Sequence, residues 1–179
     1  MRFIKSWCAL LALVAMTMAT TGCLEDLNPD SNDLRTDTST GGSQAAPAVD
    51  FIELSTESET IQLSTELMNN DAVVLYYTMW CPICDSHMTH LRNNVVDNYR
   101  NVRYLIVDYV SGTVAQSRNS QVSSGYASFT VLSDGDQSLV EQFNATMGTT
   151  VVIDDQNKIL MNEDYKNGAR LIEVLETLQ

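Results

Sequence analysis

Residues 77–84 read Tyr-Thr-Met-Trp-Cys-Pro-Ile-Cys. They follow the continuous apolar run 72–76, which is typical of a strand buried on both faces, and they precede residues with helical spacing. Two thiols two residues apart, at the junction of a strand and a helix, can interconvert between dithiol and disulfide with little backbone movement. The stretch therefore predicts a thiol–disulfide exchange site at Cys81 and Cys84.

The composition is that of one acidic domain with attachments. The chain has 179 residues, of which 44% are hydrophobic, and a formal net charge of −13. This is enough apolar material for a core. The negative charge argues against a nucleic-acid partner, whose phosphates would repel the protein, and against binding to anionic lipid by charge alone.

Residues 1–22 predict a secretory signal peptide. Two cationic residues lead an almost wholly apolar run at 7–18. This run is shorter than the roughly 20 residues that a membrane-spanning helix needs.

A Gly-Cys step ends this segment at Cys23. The step resembles the cleavage box of a bacterial lipoprotein, although Thr20 stands where leucine is usual. The resemblance implies cleavage before Cys23, lipid attachment to its thiol, and a location outside the cytoplasm on a bacterial membrane. The alternative is an ordinary secretory signal that leaves Cys23 as a free thiol.

Residues 23–50 are polar, acidic and poor in large apolar side chains. Such a segment cannot offset the entropy of ordering, so we expect a flexible tether spanning roughly 30 Å. Residues 51–179 are expected to form the folded domain.

Strands and helices alternate beyond residue 50. Strands are expected at 51–54, 60–63, 72–77, 102–107, 129–132, 149–153 and 158–161. Helices are expected at 65–68 with Ser64 as N-cap, at 82–99, 138–143 and 168–178, while 111–127 is either helix or loop. This alternation predicts a three-layer α/β domain.

The order of these elements, with Trp80-Cys81-Pro82-x-Cys84 after the first long strand, resembles the thioredoxin fold. More narrowly, it resembles the extracytoplasmic TlpA/ResA/DsbE group of thiol–disulfide oxidoreductases. The resemblance covers residues 51–178 and implies an α/β/α domain with a central mixed β-sheet and an N-terminal β-hairpin extension. The other matching pieces are Phe51-x-x-Leu54, Ile61-x-Leu63-Ser64, Val73-Val74-Leu75, Phe129-x-Val131-Leu132-x-Asp134, Phe143 and Thr149-Thr150-Val151-Val152-Ile153-Asp154.

Three positions depart from this pattern. Met147-Gly148 stands where the family has a cis-proline facing the cysteines, so we expect a trans or strained loop there. His87 replaces a glutamate that often lies three residues after the second cysteine. Thr89 replaces a helix-kinking proline, so the helix should be straighter.

The predicted site residues have distinct roles. Cys81 lies at a helix start, where free N–H groups and the helix dipole stabilise a thiolate, so it is the expected attacking sulfur. Cys84, one turn further, is the expected resolving thiol. Pro82 suits the first helical turn, and Trp80 would cover the pair and offer an apolar docking surface.

His87 lies three residues after Cys84, on the same helix face. Protonated, it would favour a thiolate; neutral, it could accept the proton of Cys84. The alternative is an exposed polar residue.

The expected partners are an exported protein substrate that carries thiols or a disulfide and an electron-donating redox protein. Outside the cytoplasm no glutathione pool sets the redox state of a cysteine pair, so a dedicated partner is needed. No cofactor is expected beyond the Cys81–Cys84 disulfide. Reduction is the direction that the resemblance implies.

Copper binding is the main alternative function. Cys81, Cys84 and His87, together with Met147, offer the soft ligands that Cu(I) prefers. A structural zinc site is disfavoured because no second cysteine pair completes it.

Two further alternatives remain. Thr78-x-x-Cys81 mimics a peroxidase motif, although Val74 stands where that motif has proline. A docking domain without redox activity would keep the cysteines only for packing.

Overall fold

The apolar run before the cysteines forms the central strand of a five-stranded sheet. A computed structural model describes residues 47–178. The strands are β1 (Ile52–Leu54), β2 (Thr60–Gln62), β3 (Ala72–Thr78), β4 (Val102–Asp108), β5 (Thr130–Ser133), β6 (Thr149–Asp154) and β7 (Ile159–Asp164). The helices are α1 (Leu63–Leu67), α2 (Pro82–His90), α3 (Val114–Ser123), α4 (Ser138–Phe143) and α5 (Ala169–Glu176), and a π-helical turn (Leu91–Val95) continues α2.

The sheet has the order β5-β4-β3-β6-β7. Strands β3, β4 and β5 are parallel, whereas β6 is antiparallel to both β3 and β7. Strands β1 and β2 form a separate antiparallel hairpin before this sheet. The mixed sheet and the N-terminal hairpin are those expected from the sequence.

Strand β3 is buried along its whole length because helices cover both faces of the sheet. Successive side chains of a strand point to opposite faces. Val73, Leu75 and Tyr77 pack with residues of α1 and α4, and Val74 and Tyr76 pack with residues of α2 and α5. The two apolar layers on either side of the sheet make the predicted three-layer architecture.

The prediction of Ser64 as an N-cap is wrong. Helix α1 begins at Leu63, two residues before the expected start, and its N-cap is Gln62. The Asp50 carboxylate accepts hydrogen bonds from the Ser64 N–H and hydroxyl, both at 2.9 Å. A distant carboxylate therefore takes the place of the expected local cap.

Helix α2 is shorter than the expected 82–99. It stays α-helical through Thr89, the position of the family's kinking proline, and becomes π-helical only at Leu91. The ambiguous segment 111–127 contains α3, whose N-cap Thr113 accepts a hydrogen bond from the Gln116 N–H at 3.3 Å.

The expected signal peptide, Cys23 and most of the tether lie outside the described residues. Within 47–178, no helix combines the length and apolarity needed to cross a bilayer. Residues before Phe51 already contact the domain: Ala48 is buried, and its N–H donates to the Asn157 carbonyl at 2.9 Å.

The start of α4 depends on one buried carboxylate, which gives a test of the fold. Asp134 accepts hydrogen bonds from the backbone N–H groups of Leu139 and Val140, each at 3.1 Å. Asp134→Ala should lower the free energy of unfolding by about 1–3 kcal/mol, because two amides lose their acceptor. Asp134→Asn keeps a carbonyl oxygen and should cost less. Urea unfolding at neutral pH measures both, and equal losses in the two variants would contradict this role.

Candidate active site

A strained turn connects β3 to the cysteine pair. Trp80 has a φ of +57°, a left-handed conformation that is unfavourable for a bulky side chain. Its N–H donates to Thr78 Oγ1 at 3.1 Å, and its indole Nε1–H donates to Asp108 Oδ2 at 2.8 Å. These two hydrogen bonds stabilise the turn, which places Cys81 at the start of α2.

The two cysteines lie side by side at that helix start. Cys81 is the N-cap of α2, and Pro82 is the first helical residue. The Cys84 N–H donates to Cys81 Sγ at 3.2 Å, and the two sulfurs of the free thiols are 2.6 Å apart. Cys81 is partly exposed, whereas Cys84 has no exposed surface. One sulfur is therefore accessible from outside, and the second is within reach of it for disulfide formation.

The thiols ionise as a pair. Burial and the contact with the Cys84 thiol raise the pKa of Cys81. Hydrogen bonds from the backbone N–H groups of Cys84 and Ile83 lower it, but by less. At Cys84 burial is outweighed by hydrogen bonds from the Cys81 thiol, the Met79 backbone and the Thr78 hydroxyl, so its pKa is lowered. The sequence predicts the acidified thiol at Cys81, whereas in the structure the lowered pKa is that of Cys84. The contact between the two sulfurs makes the second proton of the pair harder to remove than the first.

The Thr78 hydroxyl belongs to the environment of Cys84. The threonine is fully buried, and its hydroxyl also accepts the Trp80 N–H and so supports the turn.

Asp108 is a buried site residue that sequence analysis missed. Its carboxylate accepts the indole N–H of Trp80, the Ser117 hydroxyl at 2.7 Å, and the backbone N–H groups of Val110 and Ser111 at 3.1 Å. The available signal was an acid at the carboxyl end of a buried parallel strand, where α/β sheets place functional residues.

His87 is half-buried and lies in α2, three residues after Cys84. Its Nδ1 is 3.0 Å from the Tyr76 hydroxyl, and its ring centroid is 4.9 Å from that of Tyr165. Burial lowers the pKa of His87, while Asp164 and a hydrogen bond with the Lys166 backbone oppose that shift. The side chain is thus packed among aromatic rings rather than exposed at the helix surface.

The loop at Met147-Gly148 lies next to His87. No peptide bond within the described range is cis, so the loop has the trans form considered above. Gly148 is buried, has a φ of +84°, donates to the Tyr77 carbonyl at 2.9 Å and accepts from the Tyr165 N–H at 2.8 Å. Because φ is positive, glycine is the residue that adopts this conformation without strain. Met147 precedes it in the turn and is half-buried.

The two cysteines and the histidine of the copper alternative do not converge. In the described part of the chain, the one group of three or more His, Cys, Asp or Glu side chains with mutually close donor atoms is Glu53, Asp134 and Asp136. Cys81, Cys84 and His87 form no such group, and His87 Nδ1 is engaged by Tyr76.

Three exposed apolar side chains lie beside the cysteine pair in the sequence or in the loop after β4. Met79, Ile83 and Val110 are 44%, 56% and 46% exposed. Trp80 is half-buried and packs against the apolar layer that contains Met88.

The Asp108 contact gives a test of how the site is held. Asp108→Ala should release the Trp80 indole, shift its fluorescence to longer wavelength, and lower the free energy of unfolding by about 1–3 kcal/mol, because buried donors lose their acceptor. Asp108→Asn keeps an acceptor for the indole and should shift the emission less. The other tryptophan, Trp7, lies in the predicted signal peptide and is unchanged in the variants, so differences in emission report Trp80. An unchanged emission spectrum in Asp108→Ala would contradict this assignment.

Comparisons with known proteins agree with this geometry. The sequence profile of the Redoxin family matches residues 41–172, which is most of the chain. A comparison with curated protein sequences gives no match.

Several solved structures are similar in fold. A protein from Chlorobium tepidum, assigned as the thiol:disulfide interchange protein DsbE, is 16% identical with a TM-score of 0.63, over 77% of this chain and 99% of that one. Peroxidoxin BcpB from Mycobacterium tuberculosis is 20% identical with a TM-score of 0.61, over 77% and 97%. BsSco, a member of the Sco family of cytochrome c oxidase assembly proteins, is 10% identical with a TM-score of 0.59, over 77% and 95%.

These likenesses confirm the predicted thioredoxin-like fold. The family match extends across the central sheet and the cysteine pair. The chain therefore belongs to the Redoxin family and is a thiol-based oxidoreductase of the thioredoxin fold.

Proposed function

We propose that this protein is a membrane-tethered, extracytoplasmic thiol–disulfide oxidoreductase that reduces disulfides of exported proteins. The observation that carries the proposal is the accessible Cys81 sulfur at a helix start, with the buried Cys84 sulfur 2.6 Å away. An exposed sulfur can meet a protein disulfide, and a buried neighbour can then release the product.

The reaction has two exchange steps. After the pair has lost one proton, the remaining proton moves to Cys84, and the accessible Cys81 sulfur attacks one sulfur of the substrate disulfide as the thiolate. This forms a mixed disulfide and releases the other substrate sulfur as a thiolate. The Cys84 thiolate then attacks Cys81 Sγ, forms the Cys81–Cys84 disulfide and releases the second substrate thiolate. Two electrons pass from the cysteine pair to the substrate, and an electron-donating redox protein must return them.

The substrate class follows from the surroundings of Cys81. Met79, Ile83 and Val110 expose apolar surface near the pair. Such a rim favours a protein substrate with apolar residues beside its disulfide. Trp80, held by Asp108, adds a fixed aromatic edge to this surface.

Single serine variants separate the two steps. Cys84→Ser keeps the attacking sulfur and should accumulate a mixed disulfide with a disulfide-containing substrate such as insulin. Cys81→Ser leaves only the buried sulfur, so it should form little mixed disulfide and reduce insulin no faster than the uncatalysed reaction. Mass spectrometry and an insulin-reduction assay measure the two outcomes.

The matched control is Cys23→Ala, which keeps both site thiols and should reduce insulin at the wild-type rate in detergent. Wild-type reduction rates in Cys81→Ser would show that Cys81 is not the attacking sulfur. A wild-type pair that cannot be reduced and reoxidised in the folded protein would end the proposal.

The membrane tether is tested separately through Cys23. Acyl chains contribute about 0.8 kcal/mol per buried CH₂, so several chains hold a protein firmly at a bilayer. Cys23→Ala should therefore move the protein from the membrane fraction to the soluble fraction of cells. Cys8→Ala alters the other N-terminal cysteine and should leave the protein in the membrane fraction. Membrane retention of Cys23→Ala would contradict lipid anchoring at this residue.

A further inference from the structure

In the mixed disulfide Cys81 no longer has the thiol that lowers the pKa of Cys84, so the second exchange step requires Cys84 to lose its proton to another group. Cys84 has no exposed surface. A buried thiol can attack only as the thiolate, so its proton must go to a group within the protein.

Tyr76 is the side chain that lies near both Cys84 and His87. Tyr76 is 1% exposed and lies on the face of β3 that α2 covers. Its hydroxyl is 3.0 Å from His87 Nδ1, and its pKa is raised by burial and then by the nearby Cys84 thiol. The phenol therefore lies next to both the resolving sulfur and an imidazole.

The contacts of His87 define which nitrogen can accept a proton. The ring also hydrogen-bonds with the Lys166 backbone. Because Nδ1 faces Tyr76, Nε2 is the nitrogen left to donate to the Lys166 carbonyl. In this neutral tautomer Nδ1 carries a lone pair directed at the Tyr76 hydroxyl.

We propose that Tyr76 and His87 form a proton relay for Cys84. The Cys84 S–H bond breaks as its proton passes to the Tyr76 oxygen, and the original phenol proton passes to His87 Nδ1. The products are a Cys84 thiolate, an intact Tyr76 hydroxyl that donates to it, and an imidazolium held by the Lys166 carbonyl. The thiolate then attacks Cys81 Sγ, and the departing substrate thiolate takes up a proton as His87 returns its own to solvent. This relay rests on the exchange reaction proposed above.

The surroundings of both groups suit these roles. Burial first, and then the nearby Cys84 and Cys81, raise the pKa of Tyr76, so the phenol stays protonated and acts as a conduit. Burial, with a contribution from His90, lowers the pKa of His87 and keeps it neutral before the reaction, while Asp164 and the Lys166 carbonyl favour the protonated ring afterwards.

The packing around the relay is aromatic. Tyr165 lies against both members, with ring centroids 5.6 Å from Tyr76 and 4.9 Å from His87. On the other side of Tyr165, its hydroxyl is 2.8 Å from His90 Nδ1. The Tyr76 ring is thereby fixed independently of its hydroxyl, so a phenylalanine should occupy the same place.

The test separates the two exchange steps in time. Reduced protein in a Cys8→Ala/Cys23→Ala background is mixed with 5,5′-dithiobis(2-nitrobenzoate) in a stopped-flow spectrometer. The first nitrothiobenzoate released reports attack by Cys81, and the second reports attack by Cys84. Tyr76→Phe should leave the first release unchanged and slow the second by about 100-fold, a typical effect of losing a general base.

Tyr77→Phe is the matched control. Tyr77 is the adjacent buried tyrosine, but its hydroxyl donates to the Leu139 carbonyl on the opposite face of the sheet. It should retain both release rates. His87→Gln should slow the second release as Tyr76→Phe does, and the double variant should be no slower than the single ones, because the two residues act as one unit. In all relay variants the rise of the second rate with pH should move to higher pH.

Three outcomes would contradict the relay. The relay is wrong if the second nitrothiobenzoate release in Tyr76→Phe has the same rate and pH profile as in Tyr77→Phe. The exchange reaction would still stand in that case, provided that the wild type releases both equivalents. Additive losses in the double variant would show that Tyr76 and His87 act separately. Failure of the wild type to release the second equivalent would overturn the exchange reaction itself, and the relay with it.

Discussion

The burial of β3 on both faces is the constraint on which the rest of the molecule depends. Helices cover the strand from either side, and its neighbours β4 and β6 saturate its backbone hydrogen bonds. A strand held in this way has one register, so the point where it ends is also fixed. The cysteine turn begins at that point, and the precision of the site follows from the rigidity of the strand.

Polar side chains at the ends of the central strands turn this rigid scaffold into a reactive site. Asp108, at the end of β4, holds the Trp80 indole and the start of the following loop. Thr78, at the end of β3, supports the same turn and contacts Cys84. Asp108 and Thr78 are both fully buried and hydrogen-bonded, so their donors have an acceptor without contact with water. In such surroundings a hydrogen bond to sulfur has a stronger effect than it would in water.

Much of the fold could be predicted from local patterns. The bounds of α4 match the expected 138–143, and β6 begins at the expected Thr149, because turn residues and apolar spacing act over a few neighbours. The N-cap of α1 could not be predicted, since its acceptor Asp50 comes from fourteen residues away. The change to π-helix at Leu91 likewise carries no local signal, because packing against the sheet decides where α2 ends.

The sequence by itself determined that Cys81 begins a helix and that Cys84 follows one turn later, because the strand, Pro82 and the helical spacing are all encoded within a few residues. Only the tertiary structure decided what surrounds the two sulfurs. Asp108, Tyr165 and Gly148 reach the site from β4, from the end of β7 and from the loop before β6, and no local pattern relates them to the cysteines. The burial that raises the pKa of each thiol comes from the folded chain, whereas the hydrogen bonds at the two sulfurs come from residues 78–84. The buried environment of the pair therefore became visible only when the chain was folded.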